Sequence, residues 1–367
     1  MSSIKIPVAK PYIDNADREM VVSVLQSDFL SGGPYLEKFE KDFADFLNSR
    51  FACAVSSGTA GLHLAVKALD IGDGDEVITS PFSFIASSNC LLYEGARPVF
   101  VDIEETTFNI NPKKIEGAIT KKTKAILVVH IFGQTAQMDE ILTIAKKHRL
   151  KIIEDACESV GASFKGKMAG TFGNAGVFAF YPNKQMTTGE GGMIVSNSKK
   201  LLELAKSLRN QGRNNGDNWL ESKILGYNYR LDEMSAALGI SQLKKLDWII
   251  KERRKVADMY YNELSDIPWI TTPSIGKDRT HTWFVYVVRI CNGKRDLAVE
   301  KLAKNGIETR NYLPVIHLQP FMRKMFGYKE GDFPIAEKIS KETLALPMFV
   351  GLASKDIKYI CDKLKKV

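Results

Sequence analysis

The chain has 367 residues, of which 44% are hydrophobic and 26% are charged, and its formal net charge at pH 7 is +8. This composition is ordinary for a globular protein, and the length predicts two domains, or one large domain with a smaller one attached. The opening stretch "MSSIKIPVAKPYID" lacks the apolar core of a secretory signal, and no apolar run approaches the roughly 20 residues of a membrane span. We therefore expect neither a secreted protein nor a membrane protein.

The cysteines indicate the cellular compartment of the protein, and its net charge indicates the kind of partner that it binds. The cysteines are scattered, odd in number and without a CxxC pair, which favours reduced thiols in the cytoplasm over a disulfide framework or a zinc site: Cys53, Cys90, Cys157, Cys291 and Cys361. A basic chain can bind nucleic acid, an acidic membrane or an anionic small molecule. The densest basic run, "KERRK" at 251–255, lies on a helical pattern, and no nucleic-acid-binding motif occurs. An anionic metabolite is the expected partner.

Short apolar runs alternate with helical periodicities from about residue 52 to residue 240. The first forty residues are expected to form an arm or a helix. Apolar residues at helical spacing from Leu62 to Leu69 then predict a helix directly after "AVSSGTAG". The elements predicted next are strands at 76–80 and 98–103, an Asn-capped helix at "NPKKIEGAI", a strand at 124–132, a helix from Met138, strands at 150–156, 176–181 and 192–196, and a helix over 201–208.

The pattern changes after residue 240. One long helix is predicted from about Asp232 to Leu264, followed by a strand at 282–290 ("TWFVYVVRI") and a helix near 295–304. Continuous apolar strands separated by helices are typical of a largely parallel sheet that is covered on both faces. The sequence therefore predicts an α/β fold with a large domain over residues 1–245 and a smaller α+β domain over residues 246–367.

Three loops at the carboxyl ends of predicted strands carry candidate functional residues, and ligands of open α/β sheets bind at such ends. The first loop, "SSGTAG" at 56–61, opens a helix with small residues. A helix start offers free N–H groups and partial positive charge, which suit a phosphate. A plain Ser cap of the helix is the equal alternative.

The second and third loops carry a carboxylate and a lysine. Asp155 ends a predicted strand, where it can cap a helix, bind a metal or pair with a ligand cation; no His or Cys cluster supports a metal. Lys184 lies in "GVFAFYPNKQMTTGEGG" between an apolar strand and a Gly-rich turn, a poor place for a solvated side chain. Desolvated lysines act as Schiff-base nucleophiles. A phosphate cradle, a strand-end acid and a shielded lysine together match the needs of pyridoxal 5'-phosphate (PLP).

With these residues the sequence resembles the DegT/StrS family of nucleotide-sugar aminotransferases, within the fold-type I PLP enzymes. The resemblance extends over most of the chain, in family order, through "LSGGPYLEKFE", "SSGTAGLHLAVKAL", "GDGDEVITSPFSFIAS", "IIEDACESVGA", "FAFYPNKQMTTGEGG", "GYNYRLDEMSAALG" and "GIETRNYLPVIHLQPF". It implies a large domain with a mostly parallel mixed sheet and a smaller α+β domain.

The resemblance also implies how the cofactor is held. Lys184 matches the family's Schiff-base lysine, and Asp155 matches the acid that pairs with the ring nitrogen. Gly58 and Thr59, with Ser57 nearby, match the residues that bind the phosphate.

Three further positions match cofactor-binding residues of the family. Phe84 matches the aromatic that stacks on the ring, although by itself it would be a core aromatic. Glu158 lies where many relatives have Gln near the ring hydroxyl. Asn228 matches a residue that reaches the phosphate of the neighbouring subunit, which implies a homodimer with shared sites. One departure is Ala179, where the family usually has a phosphate-binding Ser.

The substrate end of the site is implied less directly. His317 matches a family histidine at that end, and Tyr181 and Ser31 are candidates for lining the sugar pocket. His130 also matches, but we assign it no chemistry, since a structural histidine is the simpler interpretation.

The activity implied is transamination of a nucleotide-linked keto sugar, a 4-keto-6-deoxy or 3-keto hexose, with glutamate as amino donor and PLP as cofactor. Neither a metal nor nucleic acid is expected. Two alternatives remain, a sugar dehydratase of the same family and a non-catalytic sensor or regulatory protein. The dehydratases carry His where the aminotransferases carry the lysine, so Lys184 argues against the first.

Overall fold

The structure is a computed structural model that describes residues 5–213, 218 and 221–367. The strands of this described part are β1 (Phe51–Val55), β2 (Glu76–Thr79), β3 (Arg97–Phe100), β4 (Thr123–Val129), β5 (Lys151–Asp155), β6 (Ser163–Phe164), β7 (Lys167–Met168), β8 (Ala175–Ala179), β9 (Gly192–Ser196), β10 (Ile270–Thr271), β11 (Tyr286–Ile290) and β12 (Thr343–Leu346).

The α-helices of the same part are α1 (Asn15–Leu25), α2 (Pro34–Leu47), α3 (Gly58–Ala68), α4 (Ala86–Leu92), α5 (Pro112–Ile115), α6 (Met138–His148), α7 (Lys199–Arg209), α8 (Glu233–Lys244), α9 (Leu246–Leu264), α10 (Arg295–Lys304), α11 (Pro320–Phe326), α12 (Pro334–Glu342) and α13 (Ser354–Lys365). None of the helices in the described ranges has the length and hydropathy that a membrane crossing requires.

The main sheet has seven strands in the order β1-β9-β8-β5-β4-β2-β3. β9 is antiparallel to both its neighbours, and the other six strands run parallel to one another. The middle strands are buried on both faces, as the apolar run Ala125–Val129 of β4 illustrates, because helices cover the two sides. The predicted α/β fold with a mostly parallel mixed sheet is confirmed.

Several predicted elements begin and end within a few residues of the observed ones. The helix predicted near 295–304 is α10, and the strand predicted at 192–196 is β9. The predicted cap at Asn111 is also present, since its side chain accepts a 3.1 Å hydrogen bond from the Lys113 N–H with Pro112 at the first helical position. That helix, α5, lasts only four residues and continues as a 3-10 turn over 116–118.

Two predictions about the second half of the chain were wrong. The single helix expected from Asp232 to Leu264 is broken at Lys245, whose φ of −111° and ψ of 6° are not helical. Lys245 instead forms ion pairs of 2.6 and 2.9 Å with Asp14 and Asp17. The strand expected to begin at residue 282 begins four residues later, because Trp283 has a left-handed φ of 55° that a strand does not accommodate.

The N-terminal segment is tied to the rest of the chain by a buried carboxylate. Glu233, at the start of α8, is fully buried and accepts hydrogen bonds from the N–H groups of Gly33, Tyr35 and Leu36 at 2.9, 2.8 and 3.1 Å. Helix α2 has no side-chain cap of its own, so Glu233 satisfies its first-turn donors from another helix. Residues 1–4 of the predicted arm lie outside the described residues.

A second apolar core lies toward the C-terminus. It forms between the antiparallel sheet β10-β11-β12 and the helices α9, α10 and α13, with Tyr260, Val288 and Leu302 among its fully buried members. The N-terminal segment reaches it through Ile6. The domain boundary at residue 245 stays a prediction.

One buried histidine should make the fold sensitive to acid. His281 stacks on Trp283 with ring centroids 4.0 Å apart, and its Nδ1 accepts a 3.0 Å hydrogen bond from the Trp283 N–H. Burial lowers the His281 pKa from 6.5 to about 3. The unfolded chain therefore binds one more proton than the folded chain between these values, so the free energy of unfolding falls with pH from about 6.5 downward, by up to about 1.4 kcal/mol per unit.

The His281→Asn variant should show a shallower loss of stability between pH 6.5 and 4.5 than the wild type in urea unfolding. The amide oxygen can still accept from the Trp283 N–H, so the comparison isolates the titrating ring. His148→Asn is the matched control, because His148 is only partly buried and lies against Glu116. An unchanged slope in His281→Asn would contradict the prediction.

Candidate active site

A cavity of about 450 Å³ opens at the carboxyl edge of the main sheet. The loops that follow β1, β2, β5 and β8 converge there, and antiparallel β9 enters the sheet at the same edge. Its lining comprises Ser57, Gly58, Thr59, Leu62, Ser83, Phe84, Ala86, Val129, Asp155, Cys157, Glu158, Ala179, Tyr181, Asn183, Lys184, Glu190, Gly191, Phe284, Tyr312 and Leu313. The structure thus brings together most of the predicted cofactor-binding residues and, with them, Tyr181.

The start of α3 forms a cradle of backbone donors at one end of the cavity. Ser57 caps the helix by accepting a 3.1 Å hydrogen bond from the Ala60 N–H, which leaves the N–H groups of Gly58 and Thr59 at the open first turn. A Cβ on Gly58 would lie 2.7 Å from the Cβ of Ala179, and a Cβ on Gly192 would lie 2.6 Å from the Ser57 carbonyl oxygen. Both glycines are therefore required by the close approach of three loops.

Asp155, the last residue of β5, is the buried acid of the cavity and is 6% exposed. Its Oδ2 accepts a 2.7 Å hydrogen bond from the Ser87 hydroxyl, and its Oδ1 accepts a 3.2 Å hydrogen bond from the Cys157 N–H. Both groups are donors, so they stabilise negative charge on the carboxylate. A carboxylate held this way is suited to pairing with a cationic N–H on a ligand.

Among the residues that the structure describes, Lys184 supplies the one amine of the cavity lining. Its side chain is 13% exposed, and its Nζ lies 4.0 Å from the centre of the Phe284 ring and 3.8 Å from Glu158 Oε1. The turn before it is closed by a hydrogen bond from the Lys184 N–H to the Tyr181 carbonyl oxygen at 2.9 Å. The amine is thus shielded on one side by an aromatic face and is fixed at the cavity by a tight turn.

Glu158 is the second carboxyl group beside the lysine. Burial raises the Glu158 pKa above its usual value of 4.5, while the nearby Lys184 and a 2.9 Å hydrogen bond from the Phe132 N–H act in the opposite direction. The two acids of the cavity therefore differ in environment, since Asp155 accepts from two donors and Glu158 faces the lysine.

The neighbouring carboxylate, Glu154, points away from the cavity and serves the fold. It is fully buried and accepts hydrogen bonds from the N–H groups of Gly170, Phe172 and Gly173 at 2.8, 2.6 and 2.6 Å. His130 Nδ1 accepts from the Ala136 N–H at 3.1 Å, so the ring proton lies on Nε2, which donates to Glu154 at 2.8 Å. This geometry agrees with the structural interpretation of His130.

Two aromatic side chains at the cavity mouth are open to solvent. Phe84 is 60% exposed and Tyr181 is 52% exposed, although both line the cavity. An aromatic ring whose face is open at the mouth of a cavity offers a stacking surface to a planar ligand. The exposure of Phe84 does not fit the alternative that it is a core aromatic.

Three predicted site residues lie outside the lining of this cavity. Ser31 forms an isolated bridge with Asp232, and Asn228 is exposed on the segment that pairs with Asn210. His317 is fully buried, with its Nε2 3.1 Å from Glu337 Oε1, and packs against the ring of Phe333. The substrate contact of His317 stays a prediction.

Several lining residues were not predicted. Phe284 reaches the cavity only because the chain turns at Trp283, and Tyr312 and Leu313 come from a segment far along the chain. Ser83, and the buried Ser87 behind it, occur in "SPFSFIASS", where hydroxyls at a helix start suggest nothing more than capping. No local signal in the sequence singles out these side chains.

The residues present fit PLP. The backbone N–H groups at the start of α3 suit a phosphate, and the exposed ring of Phe84 offers a face for a pyridine ring. Asp155 suits a protonated ring nitrogen, and the Lys184 amine lies within the same cavity. Ala179 carries no hydroxyl, so its side chain adds no donor to the cradle.

Comparison with known proteins agrees with this chemistry. A model of the DegT/DnrJ/EryC1/StrS aminotransferase family matches residues 11–365. The GDP-perosamine synthase of Caulobacter vibrioides is 38% identical, with 99% of this chain and 98% of that protein covered. The spore coat polysaccharide biosynthesis protein SpsC of Bacillus subtilis is 37% identical, with 99% and 97% covered. The solved structure of DesV from S. venezuelae superposes with a TM-score of 0.92 at 33% identity, covering 98% of each chain.

Proposed function

Because the chain belongs to the DegT/DnrJ/EryC1/StrS aminotransferase family, we propose that it aminates a nucleotide-linked keto sugar with glutamate as the amino donor. The chain is a PLP-dependent sugar aminotransferase of the fold-type I class. The proposal concerns the nucleotide-linked substrate, the donor and the residue roles. The observation that carries it is the Lys184 amine, held in one cavity with the Asp155 carboxylate and the α3 cradle.

Each residue of the cavity has a separate proposed role in the reaction. When bound, PLP takes up the electron pair that is released when a proton leaves the reacting carbon. The backbone N–H groups of Gly58 and Thr59 would bind its phosphate, and the Asp155 carboxylate would stabilise a proton at its ring nitrogen. The Lys184 amine would carry the proton away from the α-carbon of glutamate in the first half-reaction and deliver a proton to the newly aminated carbon of the sugar in the second. Phe284 shields the amine from water on one side.

The proposed sugar is a 4-keto-6-deoxy or 3-keto hexose linked to a nucleoside diphosphate. The basic balance of the chain, +8, favours such an anionic substrate. The relative from Caulobacter vibrioides is named for a GDP-linked product, which supports a nucleotide on the substrate. Tyr181, 52% exposed at the cavity mouth, is a proposed contact for the sugar.

We also propose a cytoplasmic homodimer in which Asn228 of one subunit reaches the phosphate in the other. Exposed apolar side chains support a subunit interface, since Val22, Leu25, Phe29 and Leu30 are 48–59% exposed along one stretch of chain. Light scattering should give twice the chain's 41.0 kDa. A monomer that turns over substrate would exclude the shared site.

The substrate proposal is tested with UDP-, dTDP- and GDP-linked keto sugars, each incubated with glutamate and the PLP-loaded enzyme. We expect one nucleotide class to release 2-oxoglutarate in step with the amino sugar, because transamination couples the two products. Loss of water from the sugar without 2-oxoglutarate would indicate a dehydratase. Binding of PLP and sugar without any turnover across the panel would indicate a sensor or regulatory protein.

A further inference from the structure

Two buried serines connect the cavity wall to the Asp155 carboxylate. The Ser87 hydroxyl donates to Asp155 Oδ2 at 2.7 Å, and the Ser83 and Ser87 oxygens are themselves 2.7 Å apart. Ser87 is fully buried in α4, and Ser83 is 4% exposed and lines the cavity. Asp155 lies 68 residues beyond Ser87 in the chain, so tertiary structure alone creates the contact.

The direction of this hydrogen-bond chain follows from the number of protons. An ionised carboxylate only accepts, so the single proton of Ser87 is committed to Asp155. Ser87 must then accept from its other neighbour, and Ser83 is the donor. The order is Ser83 to Ser87 to Asp155, and each donor in such a chain polarises the next.

A purely local role does not account for Ser87. Buried serines near a helix start usually bond to a backbone carbonyl of the preceding turn, as Ser88 does with the Ile85 oxygen at 3.0 Å. Ser87 occupies the adjacent position of the same helix, yet its hydroxyl is directed to Asp155 instead. The two side chains are both fully buried and differ in their partner, which makes Ser88 a natural reference.

The charged and titratable groups around Asp155 are few. Lys184, Glu158 and Cys157 share its cavity, and Cys90 lies on α4 behind it. Burial raises the Cys157 and Cys90 pKa values, so both thiols stay neutral at physiological pH. Lys184 is the one cation of this group, and Glu158 lies between it and the Phe132 N–H. Among the described residues, the Ser87 hydroxyl is thus the hydrogen-bond donor to Asp155 Oδ2, and Ser83 acts on the carboxylate only through Ser87.

We propose that Ser87, supported by Ser83, is a positioning residue that orients Asp155 and holds its negative charge toward the ring nitrogen of the cofactor. The inference rests on the proposed role of Asp155. By donating to Oδ2 and leaving the remaining lone pairs free, the Ser87 hydroxyl fixes the orientation of the carboxylate, and Ser83 polarises that hydroxyl. The two hydroxyls together favour the charged carboxylate, which a protonated ring nitrogen needs.

The test uses holoenzyme loaded with PLP labelled with ¹⁵N at the ring nitrogen. In Ser87→Ala we expect the ¹⁵N resonance to move part of the way from the protonated toward the deprotonated position. We expect kcat to fall about tenfold, as the loss of one hydrogen bond to a charged group implies, with the KM for the sugar within about twofold of wild type. Ser83→Ala should shift the resonance less and lower kcat about threefold.

The serine-to-serine link predicts strong coupling between the two substitutions. Adding Ser83→Ala to Ser87→Ala should have almost no further effect, because the chain is already interrupted. Ser88→Ala is the matched control and should keep the wild-type resonance and kcat. If Ser87→Ala is poorly folded, Ser83→Ala alone still decides the question through its ¹⁵N shift.

Asp155→Asn separates this inference from the proposed function. A changed ¹⁵N resonance in Asp155→Asn together with wild-type resonances in Ser87→Ala and Ser83→Ala would overturn the role of the serines and leave Asp155 in place. A wild-type resonance in all three variants would overturn the proposed role of Asp155 itself.

Discussion

The Lys184→Ala variant is expected to lose at least about a thousandfold of its aminotransferase activity and to remain folded. Removal of an activated nucleophile that also transfers the proton eliminates both contributions, and such losses exceed those of most binding residues. Within the described ranges no other lysine lines the cavity, so no neighbouring amine there is placed to substitute for it.

The Lys184→Ala variant should remain folded, because the Glu158 carboxyl can become neutral when the lysine cation beside it is removed. Lys184 makes a 3.8 Å ion pair with Glu158 and contacts one aromatic face. The Glu158 pKa is already raised by burial, so this carboxyl can take up a proton when its cation is removed. We therefore expect the variant to unfold within a few degrees of the wild type.

The measurement is 2-oxoglutarate release with the sugar identified by the substrate panel, together with borohydride trapping of labelled PLP. Wild type should retain label on the peptide that contains Lys184, and Lys184→Ala should retain none. Lys167→Ala is the control, because Lys167 is exposed on β7 and lies over the Phe172 ring, away from the cavity. Turnover at the wild-type rate in Lys184→Ala would be incompatible with the mechanism.

The part of the site that sequence predicts best lies at the ends of parallel strands. Ser57, Asp155 and Lys184 each lie at or just beyond the end of an apolar run, and parallel strands present their carboxyl ends at one edge. Strand identity comes from the local hydrophobic pattern, and the shared edge comes from the parallel topology. The convergence of these three residues therefore follows from the amino-acid sequence alone.

The part that sequence does not predict depends on turns and distant contacts. The run "TWFVYVVRI" favours a strand throughout, yet the left-handed backbone at Trp283 frees Phe284 to lie under the lysine. Nothing in the local pattern indicates a positive φ at a tryptophan, which is sterically unusual. The buried position of His317 beside Glu337 likewise depends on packing among α11, α12 and the preceding turn.

The Asp155→Asn variant should bind PLP but transaminate about a hundredfold to a thousandfold more slowly. The cradle at α3 and the Lys184 amine are untouched, so cofactor affinity depends on groups that remain. What is lost is a preorganised negative charge beside the ring nitrogen, and losses of this size are typical when one charge-stabilising group is removed.

The geometry of the cavity indicates how the amide would sit in this variant. The Cys157 N–H requires an acceptor at the Oδ1 position, which places the amide oxygen there and the NH2 at the Oδ2 position. The NH2 then donates to Ser87, so the serine chain reverses, and the Oδ2 position presents a donor where the carboxylate presented a charged acceptor. Single-turnover kinetics of the glutamate half-reaction measures the rate of the chemical step, and fluorescence measures PLP binding. Together they separate a slower reaction from a weaker affinity for the cofactor. Near-normal rates with bound cofactor would show that the reaction does not need the charge at Asp155.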